Sequence, residues 1–297
     1  MLKSPQISRR HLLAGAAALP VVAAAARPAA AAADMMGVAQ TRFNRMKLGS
    51  FEVTTLLVGT RTVEGPQNIF GMNASAEDFA AASAAARIPT DAAQFFFTPT
   101  VVNTGSELIL FDTGLNPDAI TSALNAAGYA PDQIDTVVIT HMHGDHIGGA
   151  AGESGVTFAN ARHITGAAEM NFWAGTDQNK AFEGKIRPNM ERFDMIDDGA
   201  SVASGVTAMA AFGHTPGHMG YMLESDGQQM LLAADFANHY VWSLAHPDWE
   251  VKFDMDKSAA ATTRRKMLGM MAADAVPFVG YHMPFPAVGY VETHGEN

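Results

Sequence analysis

From residue 46 onwards, short apolar runs alternate with turns that contain glycine or proline. Apolar runs of about four to eight residues are typical of strands, whereas longer segments with a period of about 3.6 residues are typical of helices. The predicted strands cover residues 46–58, 96–103, 107–112, 136–140, 158–164, 205–211, 221–223, 228–233 and 275–280. The predicted helices cover residues 76–87, 117–127, 166–173, 179–193 and 258–271. These elements come in two batches, before and after about residue 165, which predicts an α/β fold with a two-layered sheet core and helices outside.

The segment over residues 60–95 interrupts this pattern. It contains the turn formers Gly65-Pro66 and Gly71 and then the predicted helix over 76–87. Two interpretations are open from the sequence. The segment is either a cap beside a functional site or a solvated connection without a role.

The first 33 residues have the three parts of an export signal. Arg9-Arg10 opens the segment, an alanine-rich apolar run follows, and small residues end at Ala33. Paired arginines are typical of the twin-arginine export route, and the apolar run is shorter than the roughly 20 residues needed to cross a bilayer. We therefore predict a signal peptide over 1–33, one domain over 34–297, a periplasmic location, and no stable membrane association once the signal is cleaved.

The charge balance narrows the range of partners. The chain carries 30 acidic and 19 basic residues, and its formal net charge is −11 at pH 7. Binding to a nucleic acid backbone needs clustered lysine and arginine, so the acidic balance argues against a nucleic acid partner and leaves a small-molecule substrate as the expectation. The chain has no cysteine, which excludes disulfides, thiolate metal ligands and a cysteine nucleophile.

The strongest chemical motif is His-Met-His-Gly-Asp-His over residues 141–146, directly after a predicted strand. Neutral imidazoles and carboxylates are the ligands that suit zinc and similar divalent ions. On the turn after the strand, His141 and His143 can point at one centre, while Asp145 and His146 turn toward a second. Four ligand-type residues at this spacing predict a metal site.

Three later predicted strands are each followed by, or end in, a ligand-type residue. His214 lies on a turn that contains glycine and proline, Asp235 ends one buried strand, and His282 ends another. Together with the central motif, these residues provide what a two-metal site needs. Asp112 also ends a strand, where a buried carboxylate is costly unless it is paired. We predict that Asp112 orients a ligand histidine through the free ring N–H, caps the next helix, or does both.

These motifs and their spacing resemble those of the metallo-β-lactamase-fold hydrolases. Within that superfamily they are most similar to the branch that contains methyl parathion hydrolase and the acyl-homoserine lactonases. The likeness outside the metal motifs is carried by residues 51–54, 102–106, 171–173 and 284–290. The resemblance covers nearly the whole chain after the leader, and it implies an αββα sandwich of two mixed β-sheets packed face to face with helices outside.

The resemblance also implies the ligand set and two divalent metal ions, with zinc as the expected metal. The implied ligands are His141, His143 and His214 for one ion, Asp145, His146 and His282 for the other, and Asp235 as the bridge. Class B β-lactamases generally carry a cysteine at the place of Asp235, and this chain has none.

The chemistry favoured by these residue types is hydrolysis. The expected nucleophile is a hydroxide that bridges the two metal ions, with Asp145 orienting it and passing its proton to the leaving group. Trp173, Phe182 and Phe285 are predicted to line the substrate pocket, with simple packing in the core as the alternative for each.

The leading functional hypothesis is a dinuclear zinc hydrolase of a neutral ester or a lactone of the acyl-homoserine type. An organophosphate triester hydrolase of the methyl parathion hydrolase type is the alternative within the same chemistry. Two other classes stay open, a mononuclear iron dioxygenase of persulfides and a non-catalytic metal-binding protein. Assembly as a homodimer also stays open.

Overall fold

A computed structural model describes residues 41–294 of the chain. The predicted signal peptide over 1–33 and the predicted start of the domain at residue 34 lie outside the described residues. The twin-arginine signal and the periplasmic location therefore stay predictions.

The described chain forms seventeen strands and five helices. The strands are β1 (Phe43–Leu48), β2 (Phe51–Leu56), β3 (Gly59–Glu64), β4 (Ala92–Phe97), β5 (Thr100–Asn103), β6 (Leu108–Phe111), β7 (Thr136–Ile139), β8 (Ala151–Gly152), β9 (Gly155–Val156), β10 (Arg162–Gly166), β11 (Phe193–Ile196), β12 (Ser201–Ala203), β13 (Val206–Ala210), β14 (Met219–Ser225), β15 (Gln228–Ala234), β16 (Phe278–Gly280) and β17 (Val288–Gly289). The helices are α1 (Ala76–Ala85), α2 (Pro117–Ala126), α3 (Gly144–Ile147), α4 (Ala167–Ala174) and α5 (Lys257–Ala273). Between residues 41 and 294, none of the helices has both the length and the apolar character to cross a bilayer.

Two large mixed sheets form the body of the fold. The first has seven strands in the order β1-β2-β5-β6-β7-β10-β11, and the second has six in the order β12-β13-β14-β15-β16-β17. In the first sheet β6, β7, β10 and β11 pair parallel with one another, whereas the pairs β1–β2, β2–β5 and β5–β6 are antiparallel. This arrangement confirms the predicted α/β sandwich of two mixed sheets with helices outside.

Side-chain alternation along the central strands explains the layers. In β6, Ile109 and Phe111 belong to a cluster that joins the two sheets, while Leu110 belongs to a cluster that joins the first sheet to α2 and α4. In β7, Val138 faces the first cluster and Val137 faces the second. Because both faces of these strands are buried, their sequences read as continuous apolar runs.

The predicted strand over 46–58 is wrong as a single element. The chain instead forms the hairpin β1–β2, which turns at Gly49 with a φ of 57°. A Cβ at Gly49 would lie 2.3 Å from the carbonyl oxygen of Ser225, so the turn needs glycine for its conformation and for this close approach.

The predicted strand over 96–103 is also divided in the structure. Pro99 separates β4 from β5, and these two strands belong to different sheets. Likewise, the helix predicted over 179–193 is replaced by a π-type turn at Phe182–Ile186 and a 3₁₀ turn at Arg187–Arg192. Proline at position 188 contributes to this break because it has no N–H to donate.

The segment over 60–95 forms a second, smaller layer beside the large sheets. Strands β3 and β4 pair as a two-stranded antiparallel sheet, with α1 between them along the chain. An aromatic cluster packs this segment against the chain that follows β15, and it includes Phe70, Phe79, Phe95 and Trp242. The carbonyl oxygen of Phe96 accepts a hydrogen bond from His282, so the segment contacts a predicted ligand. The cap interpretation describes this segment better than a solvated connection.

Candidate metal centre

Five of the seven predicted ligands lie in loops that follow strands of the two large sheets, and Asp145 and His146 lie on the short helix α3 that follows β7. The seven are His141, His143, Asp145 and His146 after β7, His214 between β13 and β14, Asp235 after β15, and His282 after β16. The structure brings these seven side chains together. Their role as metal ligands stays a prediction.

The ligand atoms form three overlapping groups, and within each group they lie within 4.8 Å of one another. The first triad is His141, His143 and His214. The second triad is Asp145, His146 and His282. The third group, His141, His146 and Asp235, spans the two triads.

Asp235 occupies the place expected of a bridge. Its Oδ2 lies 3.4 Å from His214 Nε2, in the first triad, and 3.1 Å from His282 Nε2, in the second. Its Oδ1 lies 3.3 Å from His146 Nε2. One carboxylate therefore faces both triads.

Hydrogen bonds fix which ring nitrogen of each histidine faces the centre. His146 Nδ1 lies 2.7 Å from Asp112 Oδ2, and His214 Nδ1 lies 2.9 Å from Asp254 Oδ1. Because a carboxylate only accepts, both Nδ1 atoms carry a proton, and in the neutral ring each Nε2 presents a lone pair. His282 has the same arrangement, since its Nδ1 donates to the carbonyl oxygen of Phe96 at 2.8 Å.

The tautomer of His141 follows from the same argument. Thr140 donates its only hydroxyl proton to Asp112 Oδ2 at 2.9 Å. The Thr140 oxygen, 3.1 Å from His141 Nδ1, must therefore accept from that nitrogen. His141 Nε2 is then left as a lone pair that faces the centre.

These tautomers turn acceptor atoms toward the centre, and a bound cation would give those atoms a partner. His143 Nδ1 lies 3.1 Å from His141 Nε2 and 2.9 Å from His214 Nε2, so three ring nitrogens share at most one proton when the rings are neutral. His146 Nε2 and Asp235 Oδ1 are buried and make no hydrogen bond to any residue between 41 and 294. Inward lone pairs on imidazoles and carboxylates are the donor set that zinc prefers.

The electrostatics of the first triad favour neutral rings. Burial lowers the pKa of His141 well below its ordinary value. Burial, together with the charge of His214, lowers the pKa of His143 to about 3. Both rings are therefore neutral near pH 7, which is the form that binds a metal ion.

The second triad behaves differently because of Asp235. Burial opposes the charged forms of His146 and His282, but the nearby carboxylates, Asp235 foremost among them, together outweigh burial and raise the pKa of both rings. Burial likewise opposes ionised Asp235, but His282 and His146 lower its pKa well below the ordinary value. Protons thus offset the buried negative charge here, and a bound cation would take their place.

Asp112 makes the contact that the sequence predicted for a carboxylate that orients a ligand. Besides His146, it accepts from the backbone N–H of Thr140 at 2.8 Å. Its φ is 61°, and Ala234, just before Asp235, has a φ of 46°. Left-handed backbone at non-glycine residues costs of order 1–3 kcal/mol each and is common at functional sites.

A second orienting carboxylate, Asp254, was not predicted from the sequence. It accepts from His214 Nδ1 and is itself bound by Arg264, which is fully buried on α5 and lies 3.2 Å away. Arg264 also donates to the carbonyl oxygens of Phe236 and Pro247. The sequence contains one signal for the Arg264–Asp254 pair. Arg264 lies four positions after Ala260, on the buried apolar face of α5.

His218 hydrogen-bonds the backbone of Asp235, the predicted bridging residue, and is not one of the grouped ligands. Its Nε2 accepts from the backbone N–H of Asp235 at 2.9 Å. Burial lowers the pKa of His218, so it stays in the neutral form that can accept this bond.

The three predicted pocket residues differ in burial and in their distance from the predicted ligands. Phe182 is completely buried in the cluster between the first sheet and its helices, so the packing alternative describes it. Trp173 is 7% exposed, with its ring 6.4 Å from that of His143 and its N–H bound to Glu169. Phe285 is half-buried just after His282, and its contact with substrate stays a prediction.

Aromatic residues that the sequence analysis did not select stand beside the second triad. The rings of Phe95 and Phe97 meet His282 edge-on at 5.4 and 5.5 Å. Phe253, which is 41% exposed, packs edge-on against Phe95 at 6.3 Å. His143 and Asp145 are the only predicted ligands that are not fully buried, so the centre opens on their side.

Curated relatives with sequence similarity are N-acyl homoserine lactonases from Bacillus. One from Bacillus sp. is 25% identical over 164 residues, which is 55% of this chain and 62% of the relative. One from Bacillus thuringiensis is 28% identical over 109 residues, which is 37% of this chain and 40% of the relative. The matched region therefore spans less than two thirds of either relative.

Solved structures share the fold over most of the chain. The dizinc quorum-quenching lactonase AidC, in complex with an acyl-homoserine product, superposes with a TM-score of 0.77 at 23% identity. The hydrolase AbOPH superposes with a TM-score of 0.79 at 24% identity. Each match covers 86% of this chain and 95% of the other chain, and at these identities it speaks for the fold alone.

The sequence pattern of the metallo-beta-lactamase superfamily matches residues 98–282. This match takes in more than half of the chain and all seven predicted ligands. The chain therefore belongs to the metallo-beta-lactamase superfamily.

Proposed function

We propose that this protein is a dinuclear metal hydrolase that cleaves a neutral, apolar ester, with a lactone of the acyl-homoserine type as the substrate class. The observation that carries the proposal is the convergence of the two triads on Asp235, with Asp145 left 28% exposed at the open side. A closed structural zinc site is usually four-coordinate and buried, whereas a catalytic site keeps an open position. The partly exposed side of this centre fits the catalytic kind.

Zinc ions bound by the two triads would supply a water molecule of lowered pKa and a Lewis acid for the substrate oxygen. The protein contributes binding, orientation and proton transfer. Asp145 Oδ2 lies 3.4 Å from His282 Nε2 and 3.9 Å from His146 Nε2. These distances support the proposal that the Asp145 carboxylate holds a proton beside the second triad and returns it to the leaving oxygen.

The surroundings support an apolar substrate. Phe95, Phe97 and Phe253 form an aromatic wall next to His282. An aromatic wall of this kind excludes water and gains energy when it covers an acyl chain. The likeness to N-acyl homoserine lactonases supports the same substrate class.

The test compares wild type with the isosteric variant Asp145→Asn on an N-acyl homoserine lactone and on methyl parathion, with zinc content measured for each protein. We expect the wild type to bind about two zinc ions per chain. We also expect it to hydrolyse the lactone about 10²–10⁴-fold faster than Asp145→Asn, because the variant cannot accept a proton. Asp132→Asn is the matched control. Asp132 is exposed and precedes β7 in the sequence, and its variant should keep full activity.

Three outcomes would contradict the proposal. Equal lactone hydrolysis by wild type and Asp145→Asn would remove the assigned chemistry. Faster turnover of methyl parathion than of the lactone would move the substrate class to phosphotriesters. About one iron per chain with little zinc would favour persulfide oxygenation instead.

A further inference from the structure

Glu169 is a buried carboxylate that belongs to neither triad. It lies on α4, has no exposed surface, and accepts four hydrogen bonds. Its Oε1 accepts from the backbone N–H of Met142 at 2.8 Å and from Trp173 Nε1 at 2.7 Å. Its Oε2 accepts from the Thr215 hydroxyl at 2.7 Å and from the backbone N–H of Gly217 at 2.9 Å.

Three of these partners come from the two turns that carry the first triad. Met142 lies between His141 and His143, and Thr215 directly follows His214. One carboxylate thus ties a turn of the seven-stranded sheet to a turn of the six-stranded sheet.

The close approach of the second turn depends on a glycine. A Cβ at Gly217 would lie 2.0 Å from the backbone nitrogen of Glu169. Any larger residue would push the turn that carries His214 away from α4. The contact between this turn and Glu169 is therefore built into the backbone as well as the side chains.

The hydrogen bonds favour the ionised form of Glu169. Two backbone N–H groups and the Trp173 indole can only donate, and the Thr215 hydroxyl donates to Oε2 as well. Burial works against this charge and raises the pKa of Glu169, and the four hydrogen bonds offset that effect in part. No lysine or arginine of the described chain makes a salt bridge with it. An unpaired buried anion is a costly way to hold two turns together if stability is its only role.

We infer that Glu169 is a positioning residue that fixes His141 and His143 relative to His214, and so sets the metal affinity of the first triad. This inference rests on the proposed two-metal site. Its carboxylate acts only through backbone and side-chain groups next to the ligands, and it touches no ligand ring itself. Residues that orient ligands in this way typically change metal affinity about 10–100-fold when they are replaced.

The experiment measures zinc binding to the full chain by competition with a chromophoric chelator, together with the absorption spectrum of the cobalt-loaded protein. The variant is Glu169→Gln, which keeps the shape of the side chain but turns one acceptor into a donor that faces donors. We expect one of the two ions to bind about 10–100-fold more weakly and its cobalt spectrum to change, while the other ion keeps its affinity.

Two further variants separate positioning from simple stability. Thr215→Val removes one donor to Glu169 and should weaken the same ion by a smaller factor. Ser83→Ala removes a buried hydroxyl that bonds Phe79 and Trp242 and lies outside both ligand turns, so both ions should keep their affinities. If Glu169→Gln does not fold, Thr215→Val alone decides the inference by the same measurement.

The outcomes distinguish this inference from the proposed function. If the wild type binds fewer than two zinc ions, the proposed two-metal hydrolase fails. If the wild type binds two, and Glu169→Gln lowers the thermal midpoint but binds both ions with unchanged affinity and spectrum, only the inference about Glu169 is overturned. Equal weakening of both ions in the variant would overturn it as well.

Discussion

At the scale of single residues, a neutral imidazole carries one ring proton, and the position of that proton decides which nitrogen can face the candidate metal centre. Four predicted ligand histidines donate their Nδ1 proton to an oxygen atom outside the centre and turn Nε2 inward. The acceptors are Asp112, Asp254, Thr140 and the backbone of Phe96. Outer hydrogen bonds of this kind fix the tautomer and orientation of a ligand before any metal arrives.

His239 is a second kind of buried neutral histidine, and it lies outside the candidate metal centre. It is 6% exposed and stacks on Trp242 at 4.0 Å, and its Nδ1 accepts from the backbone N–H groups of Val241 and Trp242. Burial lowers the pKa of His239 to about 3. The folded protein therefore keeps this ring neutral at a pH where the unfolded chain would protonate it.

This difference gives stability a pH dependence with a defined sign. Between the ordinary pKa of 6.5 and about 3, the unfolded state binds more protons at this position, so the free energy of unfolding falls as the pH falls. In His239→Asn, an amide oxygen replaces the accepting nitrogen and nothing titrates. We expect acidification from pH 7 to pH 4 to destabilise the wild type by about 3 kcal/mol more than this variant, measured by urea unfolding.

Trp242→Phe is the matched control for this measurement. It disturbs the same stack but adds no titrating group, so its cost should be equal at both pH values. Parallel pH profiles for wild type and His239→Asn would contradict the assigned role of burial.

At the scale of elements, α5 reaches the metal centre through one buried cation. Arg264 sits among apolar positions of the helix and binds Asp254, which in turn holds His214. The helix begins at a cap in which the Asp256 side chain accepts from the N–H of Ala259. The cap fixes the start of the helix, and the helix then places Arg264 under the ligand loop.

Replacement of Arg264 by methionine tests this connection. The variant leaves the Asp254 carboxylate buried without its cation, so we expect a loss of about 3–5 kcal/mol in the free energy of unfolding, measured by chemical denaturation. The neighbouring variant Arg265→Met is the control. Arg265 pairs with Asp248 at the surface, where the two side chains are 59% and 53% exposed, and its loss should cost about 0–1 kcal/mol. Similar costs for the two variants would show that burial of the pair does not matter.

At the scale of the whole molecule, the candidate centre joins the two large sheets. The segment after β7 supplies four predicted ligands from the first sheet, and the loops after β13, β15 and β16 supply three from the second. Neither sheet can complete a triad alone, because His214 completes the first and His282 completes the second. Metal binding should therefore stabilise the folded domain as a unit.

Zinc removal provides the corresponding test. At free zinc about 100 times the dissociation constant, each ion should add about 3 kcal/mol to the free energy of unfolding. For a domain of this size, that corresponds to a rise of roughly 5–12 °C in the thermal midpoint per ion, measured by calorimetry against the chelated protein. Magnesium is the control and should change little, because it prefers oxygen ligands and bridges poorly between imidazoles. An identical midpoint with zinc and with chelator would contradict this account.

Much of the site was readable because its signals are local. The motif over 141–146 follows a buried strand directly, and His214, Asp235 and His282 each follow an apolar run. The αββα architecture was likewise predicted from the spacing of strands and helices and from the family resemblance. Its boundaries failed where turns decided them, as at Gly49 and Pro99, because a short turn leaves little trace in an apolar pattern.

The sequence by itself determined which residue types meet at the centre, because ligand chemistry and strand periodicity are properties of short segments. Only the tertiary structure decided how they are held. Asp254 lies 40 positions from the His214 ring that it orients, and Glu169 joins turns that are 27 and 48 positions away. Such contacts depend on how two sheets and their helices pack, and no local pattern of hydrophobic and polar residues encodes that distance.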